Sequence, residues 1–590
     1  MSPNNNKLEL TWVGKYDEQK PVEPRILIEN PRYSYGTVET GVLPNGKPWN
    51  GNMLIHGDNL LALKALEQNF TNAVKCIYID PPYNTGNVFV YEDDFSQTAG
   101  EFRDKSGMFD EDGNMILQNY EVNSESNGRF HTDWLNMIYP RLKVARDLLT
   151  EDGVIFISID DNEVENLRKV CDEVFGERNF IAQLIWERAF SPKNDARFVS
   201  NSHDYVLMFT RNIDSFVIGR LDRTAEANAR YSNPDNDPRG VWMSSDISVK
   251  TYNAACDYPI TTPSGKIIEP PAGRCWRLSK KAFFERLQDN RIWFGPNGDN
   301  TPRIKRFLSE LKFDGMAPTS ILFYKDVGHS QEGAQEVVSL FGDKGVFDGP
   351  KPVRLLQRLI TLANLKDDSI VLDFFSGSAT TAHALMKTNL EKGTDRKFIL
   401  VQLPEKVSDK KKDQGYGTIC EIGKERIRRA GKKILEELAT KKAENGLFDK
   451  ESEPTRLDVG FRVLKLDTSN MQDVYYTPED SSAATLFDDN VKPDRTPEDL
   501  LFQVMLEYNL PLSAKIERKT IAGKEVFSVN DDYLIACFDE NVNETVITEV
   551  AKRKPLYFIM RDSSLSSDQV ADNFEQIFNA YSKDTIRRIL

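Results

Sequence analysis

Cysteine and histidine are scarce in this 590-residue chain, with six of the first and five of the second. Cys76, Cys171, Cys256, Cys275, Cys420 and Cys537 stand far apart with no Cys-x-x-Cys pair, which argues against a disulfide framework or a structural zinc site. The histidines are equally scattered and give no metal-ligand spacing. Absent too are a Walker A phosphate loop, internal repeats and low-complexity tracts. The longest apolar runs, such as Val154-Ile155-Phe156-Ile157, are strand-length and far short of a bilayer. The opening Met1-Ser2-Pro3-Asn4-Asn5-Asn6 lacks the charged-then-apolar pattern of an export signal, so a cytoplasmic location is expected. Positive charge is in deficit: the net charge of −15 excludes non-specific wrapping of nucleic acid. Chemistry must therefore come from carboxylates, backbone and an organic cofactor, with no metal.

What is present is uneven along the chain. Residues 180–345 sum to about +2 and residues 446–590 to about −10, so a near-neutral, arginine-spotted middle precedes an acidic end. The length exceeds what one hydrophobic core fills, and about three or four domains are expected. Residues 1–45 read as a polar arm. Residues 46–180 alternate short apolar runs with helical periodicity: Met53-Leu54-Ile55 precedes a helix marked by Leu60, Leu61, Leu63 and Leu66. Then come a buried strand over 74–79, a helix over 134–149, a strand over 154–159 and a helix over 162–175. Strands alternating with helices imply a parallel, doubly wound sheet.

Over 181–345 that periodicity degrades into turns, aromatics and arginines, which predicts an irregular, β-rich insert. The strand–helix pattern resumes over 346–445, with strands at 370–372 and 398–403 and a basic, charge-laced helix from 421. Residues 446–590 alternate strand and helix on their own and are expected to form a C-terminal α+β domain. The expected fold class is thus α/β, Rossmann-like, split by an insert and extended at the C-terminus.

Two motifs bear the chemistry. Asp80-Pro81-Pro82-Tyr83 follows the strand at 74–79, and ligands of open α/β sheets sit outside the carboxyl ends of strands. The prolines remove backbone donors and stiffen the turn, leaving the Asp80 carboxylate and the Pro81 carbonyl as acceptors for an amino group. Tyr83 offers a flat face for an extruded base. The bland alternative is a strand-ending turn with an Asp cap. The second motif runs Val371-Leu372-Asp373-Phe374-Phe375-Ser376-Gly377-Ser378-Ala379-Thr380-Thr381, a strand entering a tight turn and then a helix N-terminus. Gly377 lets the backbone approach a ligand, and Ser378 or Thr380 is expected to cap the helix. Asp373 suits a cationic amino-acid moiety better than a phosphate.

The pair of motifs resembles the amino-methyltransferases of DNA, and its order, D-P-P-Y first and cofactor turn last, resembles their β group. Ala379 departs from the second glycine common in that family. Leu54-Ile55-His56-Gly57-Asp58-Asn59-Leu60, the D-P-P-Y-N-T-G run from Asp80, Tyr91-Glu92-Asp93-Asp94-Phe95, Pro350-Lys351-Pro352 and Val401-Gln402-Leu403-Pro404-Glu405 look like the modification (Mod) subunits of type III restriction-modification systems. The resemblance implies S-adenosyl-L-methionine as cofactor and N6 of adenine in double-stranded DNA as target. Asp80, Pro81, Pro82 and Tyr83 would grip the flipped base. Asp373, Phe375, Gly377 and Ser378 would surround the methionine end of the cofactor, with Lys351 and Pro352 beside it. Asp58 would receive its polar groups and Glu405 or Gln402 its ribose hydroxyls, unless Asp58 and Glu405 are helix caps and Lys351 a solvated charge. The loop over 84–129 would close over the base. Arg188, Arg197, Arg274, Arg277, Arg286, Arg291, Arg303 and Arg306 of the insert would meet bases or phosphates. A homodimer and a restriction (Res) helicase-nuclease partner are also implied. The competing readings are a cytosine-N4 or RNA methyltransferase and a DNA-binding scaffold subunit with a vestigial cofactor site.

Overall fold

The computed structural model describes residues 10–16, 25–30, 32–35, 51–85, 89–90, 121–122, 130–192, 194, 196–311, 315–407, 415–444, 457–467, 470, 491–492, 495–508, 510–512, 514–561, 564 and 568–590. The Tyr91–Phe95 motif, Gly86, most of the 84–129 loop and most of the N-terminal arm lie outside these residues.

Ten strands form one sheet. From one edge to the other they are Ile26–Glu29, Arg462–Asp467, Met53–His56, Lys397–Gln402, Ile370–Asp373, Val74–Ile79, Leu149–Ile159, His203–Thr210, Phe180–Glu187 and Ile321–Leu322. The central run from Arg462–Asp467 to Leu149–Ile159 is parallel throughout. Parallel strands are covered on both faces and so read as unbroken apolar runs. Val74–Ile79 is buried at all six positions. The first half of the split domain builds outward from Val74–Ile79 to Leu149–Ile159. The second half builds the other way, from Ile370–Asp373 to Lys397–Gln402. The switch of direction falls between Ile370–Asp373 and Val74–Ile79, where such sheets open a ligand crevice.

Helices cover the sheet where the periodicity places them. Asn59–Phe70 buries Leu60, Leu63 and Leu66. Phe130–Leu148 accommodates Pro140 inside a helix and buries Trp134, Met137, Ile138 and Leu142. Val353–Leu362, Thr380–Lys392 and Ile419–Glu444 follow in the second half.

Two expected boundaries move. The insert expected over 181–345 is narrower as a compact unit, Arg220–Pro318, because Phe180–Glu187 and His203–Thr210 hydrogen-bond into the main sheet and Ile321–Leu322 closes its edge. That unit is built from short antiparallel pairs around Ile247, Tyr258, Ile260, Trp276, Phe283, Ile292 and Phe294. The C-terminal stretch expected to stand alone also does not separate. Arg462–Asp467 pairs with Met53–His56 inside the main sheet. The terminal five-stranded sheet, from Ile516–Ile521 to Ile586–Ile589, shares one apolar core with it through Phe527, Val529, Leu534 and Ala536. Chain order alone does not reveal such sharing, because the Arg462–Asp467 pattern is the same whichever sheet it joins.

Candidate active site

Asp80 leaves the sheet directly after Val74–Ile79, and Asp373 ends Ile370–Asp373. The two strands are parallel neighbours, with Val371 opposite Cys76 and Leu372 opposite Ile77. Two chain segments nearly three hundred residues apart therefore deliver their carboxylates to the same sheet edge, side by side.

The turn after Asp80 is held from several directions. The Pro82 carbonyl accepts from Trp134 Nε1 at 2.7 Å. Asn84 adopts a left-handed backbone, φ 57°, which asparagine tolerates. Its amide donates to Glu163 Oε1 at 2.6 Å and to the Phe130 carbonyl at 3.2 Å. Glu163 is buried and also takes His131 Nδ1 at 2.6 Å and Asn166 Nδ2 at 2.8 Å.

On this fixed turn, Asp80 Oδ2 accepts from Lys351 Nζ at 2.5 Å, while Asp80 Oδ1 is buried without a hydrogen-bond partner among the described residues. The Tyr83 hydroxyl is likewise buried and unpartnered. Burial, with Asp80 beside it, pushes that phenol well above its ordinary range. Lys351 Nζ also stands 5.1 Å from the Tyr83 ring centre and 5.9 Å from that of Trp186.

Asp373 is only 2% exposed. Its Oδ1 accepts the Phe375 amide at 3.1 Å and its Oδ2 accepts the Thr381 hydroxyl. Burial outweighs these donors and raises its pKa to about 7, with the Asp80 charge adding to the rise. Nearby Asp204 is pushed to about 6, chiefly by burial, against the pull of Arg188 and Lys351.

The turn after Asp373 needs two left-handed residues in three. Gly377 has φ 50° and its amide donates to Gln402 Oε1 at 2.7 Å. A Cβ there would come within 3.1 Å of the Phe347 ring, a tight contact that adds to the conformational preference for glycine. Ala379 has φ 62°, at a cost of about 1–2 kcal/mol for a residue with a Cβ. That conformation is the physical reason for the glycine common at this position in the family the turn resembles.

The expectation that Ser378 or Thr380 caps the helix is corrected. The N-cap of Thr380–Lys392 is Ala379, with no side-chain cap. Both hydroxyls instead receive the buried Arg426 Nη1, each at 2.7 Å. The hydroxyls serve the Ile419–Glu444 helix that packs on the turn.

The DNA methylase family matches residues 74–432, a span that runs from the Asp80 strand through the Asp373 turn to Arg426. The chain belongs to the DNA methylase family. It is 34% identical over 473 residues to the type III restriction-modification enzyme StyLTI Mod subunit of Salmonella typhimurium, covering 79% of this chain and 67% of that protein. It is 35% identical to the EcoPI Mod subunit of Escherichia phage P1, covering 65% and 62% of the two chains. To the EcoP15I Mod subunit of Escherichia coli it is 32% identical, covering 65% and 63%. This methylase thus spans roughly two thirds of the length of these relatives. Its family uses S-adenosyl-L-methionine, so the chain is a methyltransferase dependent on that cofactor.

The residues present fit the cofactor. Asp373, buried and pushed up to about 7, is a carboxylate whose ionisation a bound cation would restore. Ser376 Oγ is buried with no partner among the described residues, and the Gly377 cradle under Phe347 is one that a Cβ would fill. Gln402 bridges the Gly377 amide and the Leu403 carbonyl, tying the ends of Ile370–Asp373 and Lys397–Gln402 together. Glu405 lies half-buried three residues beyond. Pro352 is the N-cap residue of Val353–Leu362. Phe375 packs against Phe374 at 5.4 Å between ring centres.

Asp58 takes the helix-cap alternative. Its Oδ1 accepts the amides of Leu60 and Leu61 at 2.9 and 3.0 Å, and its Oδ2 meets Arg141 Nη2 at 3.1 Å. With both oxygens engaged, this methylase uses Asp58 to hold Asn59–Phe70 against Phe130–Leu148. The motifs also missed Trp134, Glu163 and Arg426. Trp134 is signalled only as a tryptophan in an amphipathic run, and nothing local marks Glu163 or Arg426, whose partners are distant in sequence.

Proposed function

We propose that this methyltransferase transfers a methyl group from S-adenosyl-L-methionine to N6 of adenine in double-stranded DNA, as the modification and recognition subunit of a type III restriction-modification system. The observation that supports it most is the unpartnered Asp80 Oδ1 on a clamped turn, at the sheet edge shared with buried Asp373. Bound S-adenosyl-L-methionine supplies an activated methyl group, so no covalent enzyme intermediate is needed.

The chain's task is to align one amino nitrogen with that methyl at near-attack distance. An exocyclic amine conjugated with its ring is a poor nucleophile. Asp80 Oδ1 and the Pro81 carbonyl, accepting its two N–H groups, favour the pyramidal form in which the lone pair is released. As positive charge builds on nitrogen, the Asp80 carboxylate stabilises it more than it stabilises the ground state. Proton acceptance after transfer is the lesser part of its role. Tyr83 offsets the few kcal/mol of base extrusion by stacking.

Sequence reading belongs to the 220–318 unit in this proposal. Of the arginines expected to meet DNA, Arg291 is bound up with Asp289 and with Glu310 at 2.5 Å, and Arg274 with Asp246 at 3.3 Å. Arg277, Arg303 and Arg306 are exposed and better placed for base edges or phosphates. Arg188, in the main unit, is committed to Asp204 at 2.8 Å. A homodimer, a Res helicase-nuclease partner and cytoplasmic action complete the proposal. Among the described residues, no helix is long and apolar enough to cross a membrane.

Incubation with tritiated S-adenosyl-L-methionine and duplex DNA, followed by digestion to nucleosides, tests the reading. Label in N6-methyldeoxyadenosine is expected. Label in N4-methyldeoxycytidine, label on RNA alone, or DNA binding without transfer would each replace it by a competing reading.

A further inference from the structure

Lys351 lies on the short connection before Val353–Leu362, in the second half of the split domain, yet its ammonium rests on Asp80 of the first half. Its place is fixed by its backbone. A Cβ at Gly333 would come within 2.2 Å of the Pro350 carbonyl oxygen and 3.0 Å of the Lys351 carbonyl carbon, so the connection lies directly on Ser330–Phe341. A Cβ at Gly328 would meet Pro352 Cβ at 2.8 Å. The next residue, Val353, donates its amide to Glu336 Oε2 at 3.0 Å. Neither glycine has room for another residue, and together they hold the lysine stem against Tyr83 and Trp186.

The surroundings of Lys351 are acidic. Asp80, Asp204 and Asp373 all feel its charge or touch it, and Asp160 lies beyond Asp204. Arg188, another cation at this end, is taken by Asp204. The phenols of Tyr78 and Tyr83 face the same carboxylates and are pushed up by burial and by Asp80. Among these carboxylates, the Lys351 ammonium is at hydrogen-bond distance from Asp80 Oδ2. It also restrains the carboxylate, because taking Oδ2 leaves buried Oδ1 as the oxygen with no partner among the described residues.

We propose that Lys351 is a positioning residue for the transfer step: it holds Asp80 Oδ2 so that Oδ1 is presented, correctly turned, to the target amine. Its primary role is therefore not that of a ligand to the cofactor. This inference rests on the methyl-transfer reading of the site. It makes the split domain interdependent, since the amine acceptor supplied before the insert is held by a cation supplied after it.

The test uses the full chain with Lys351→Met and Lys351→Arg, measuring single-turnover transfer and S-adenosyl-L-homocysteine binding by calorimetry, with thermal melting to check folding. For Lys351→Met, a fall of about a hundredfold in the transfer rate at neutral pH is expected, of the size seen when one oriented polar contact is lost. Cofactor-product affinity should stay within about threefold. Lys351→Arg, which keeps the charge, should recover most of the rate. A Lys351→Met transfer rate equal to wild type, failure of Lys351→Arg to recover the rate, or an affinity loss above tenfold with the saturated rate unchanged, overturns the proposal. Absence of transfer by the wild-type chain would overturn the methylation reading itself, and is told apart because the positioning arms then have no wild-type rate to be compared with.

Discussion

Asp80 and Asp373 are the same residue type at the ends of neighbouring parallel strands, and they are prepared for opposite tasks. Asp80 has a side chain 26% exposed, one oxygen on Lys351 and the other unpartnered. Asp373 is sealed, with both oxygens receiving donors, and burial raises it to about 7. The first is an acceptor left open towards something that brings N–H donors. The second already has its donors and lacks a counter-charge. Position on the sheet brings the two together, and the local shell decides what each can do.

The comparison breaks most sharply at Asp80. Asp80→Ala should reduce methyl transfer by at least a thousandfold, comparable with the loss of a principal electrostatic contact. DNA binding, measured by fluorescence anisotropy, should be retained. A variant with normal turnover would remove Asp80 from the mechanism.

Asp373 should instead govern affinity for the cofactor. Its pKa lies above the unfolded value, so in the free protein the carboxyl binds a proton up to about pH 7. A cation arriving there must displace that proton, so S-adenosyl-L-methionine affinity should fall as pH drops below about 7, with proton release on binding near that pH. Asp373→Asn should weaken binding by about ten- to a hundredfold and remove the pH dependence, as read by calorimetry in buffers of different ionisation enthalpy. Stability runs the opposite way with pH: the raised pKa favours the fold at low pH, an advantage lost as pH rises from about 4 to about 7.

Smaller effects sharpen the contrast between groups that touch substrate and groups that hold the frame. Tyr83→Ala should cost about 1–3 kcal/mol in productive DNA engagement, seen as a higher KM, because a stacking face is lost. Asp58→Ala should lower stability by about 3 kcal/mol, because it removes a helix cap and strands buried Arg141. Cofactor affinity per folded molecule should change little, which separates Asp58 from Asp373.

Much of this site was legible before the fold. Asp80-Pro81-Pro82-Tyr83 and the Asp373–Gly377 turn are local motifs, and strand alternation alone predicts that both lie at carboxyl ends of strands. Whether those ends are neighbours is a fact of strand order, which the long insert conceals. Ser378 and Thr380 looked like caps because small hydroxyl residues before a helix usually are. Arg426, some fifty residues on, claims them instead. Lys351 was recognisable beside Pro352, but its reach across to Asp80 follows only from the packing of Ser330–Phe341 against the connection. Turn geometry and strand ends are legible from neighbouring residues, whereas contacts whose partners arrive from another element are not.

The most direct measurement is a crystal structure of the chain with S-adenosyl-L-homocysteine. The account predicts the amino-acid end at Asp373 and Gly377, with the sulfur facing Asp80 Oδ1 across a gap that admits a single amino nitrogen. A homocysteine end seated away from the Ile370–Asp373 and Val74–Ile79 crevice, with Asp80 turned from the sulfur, would contradict it.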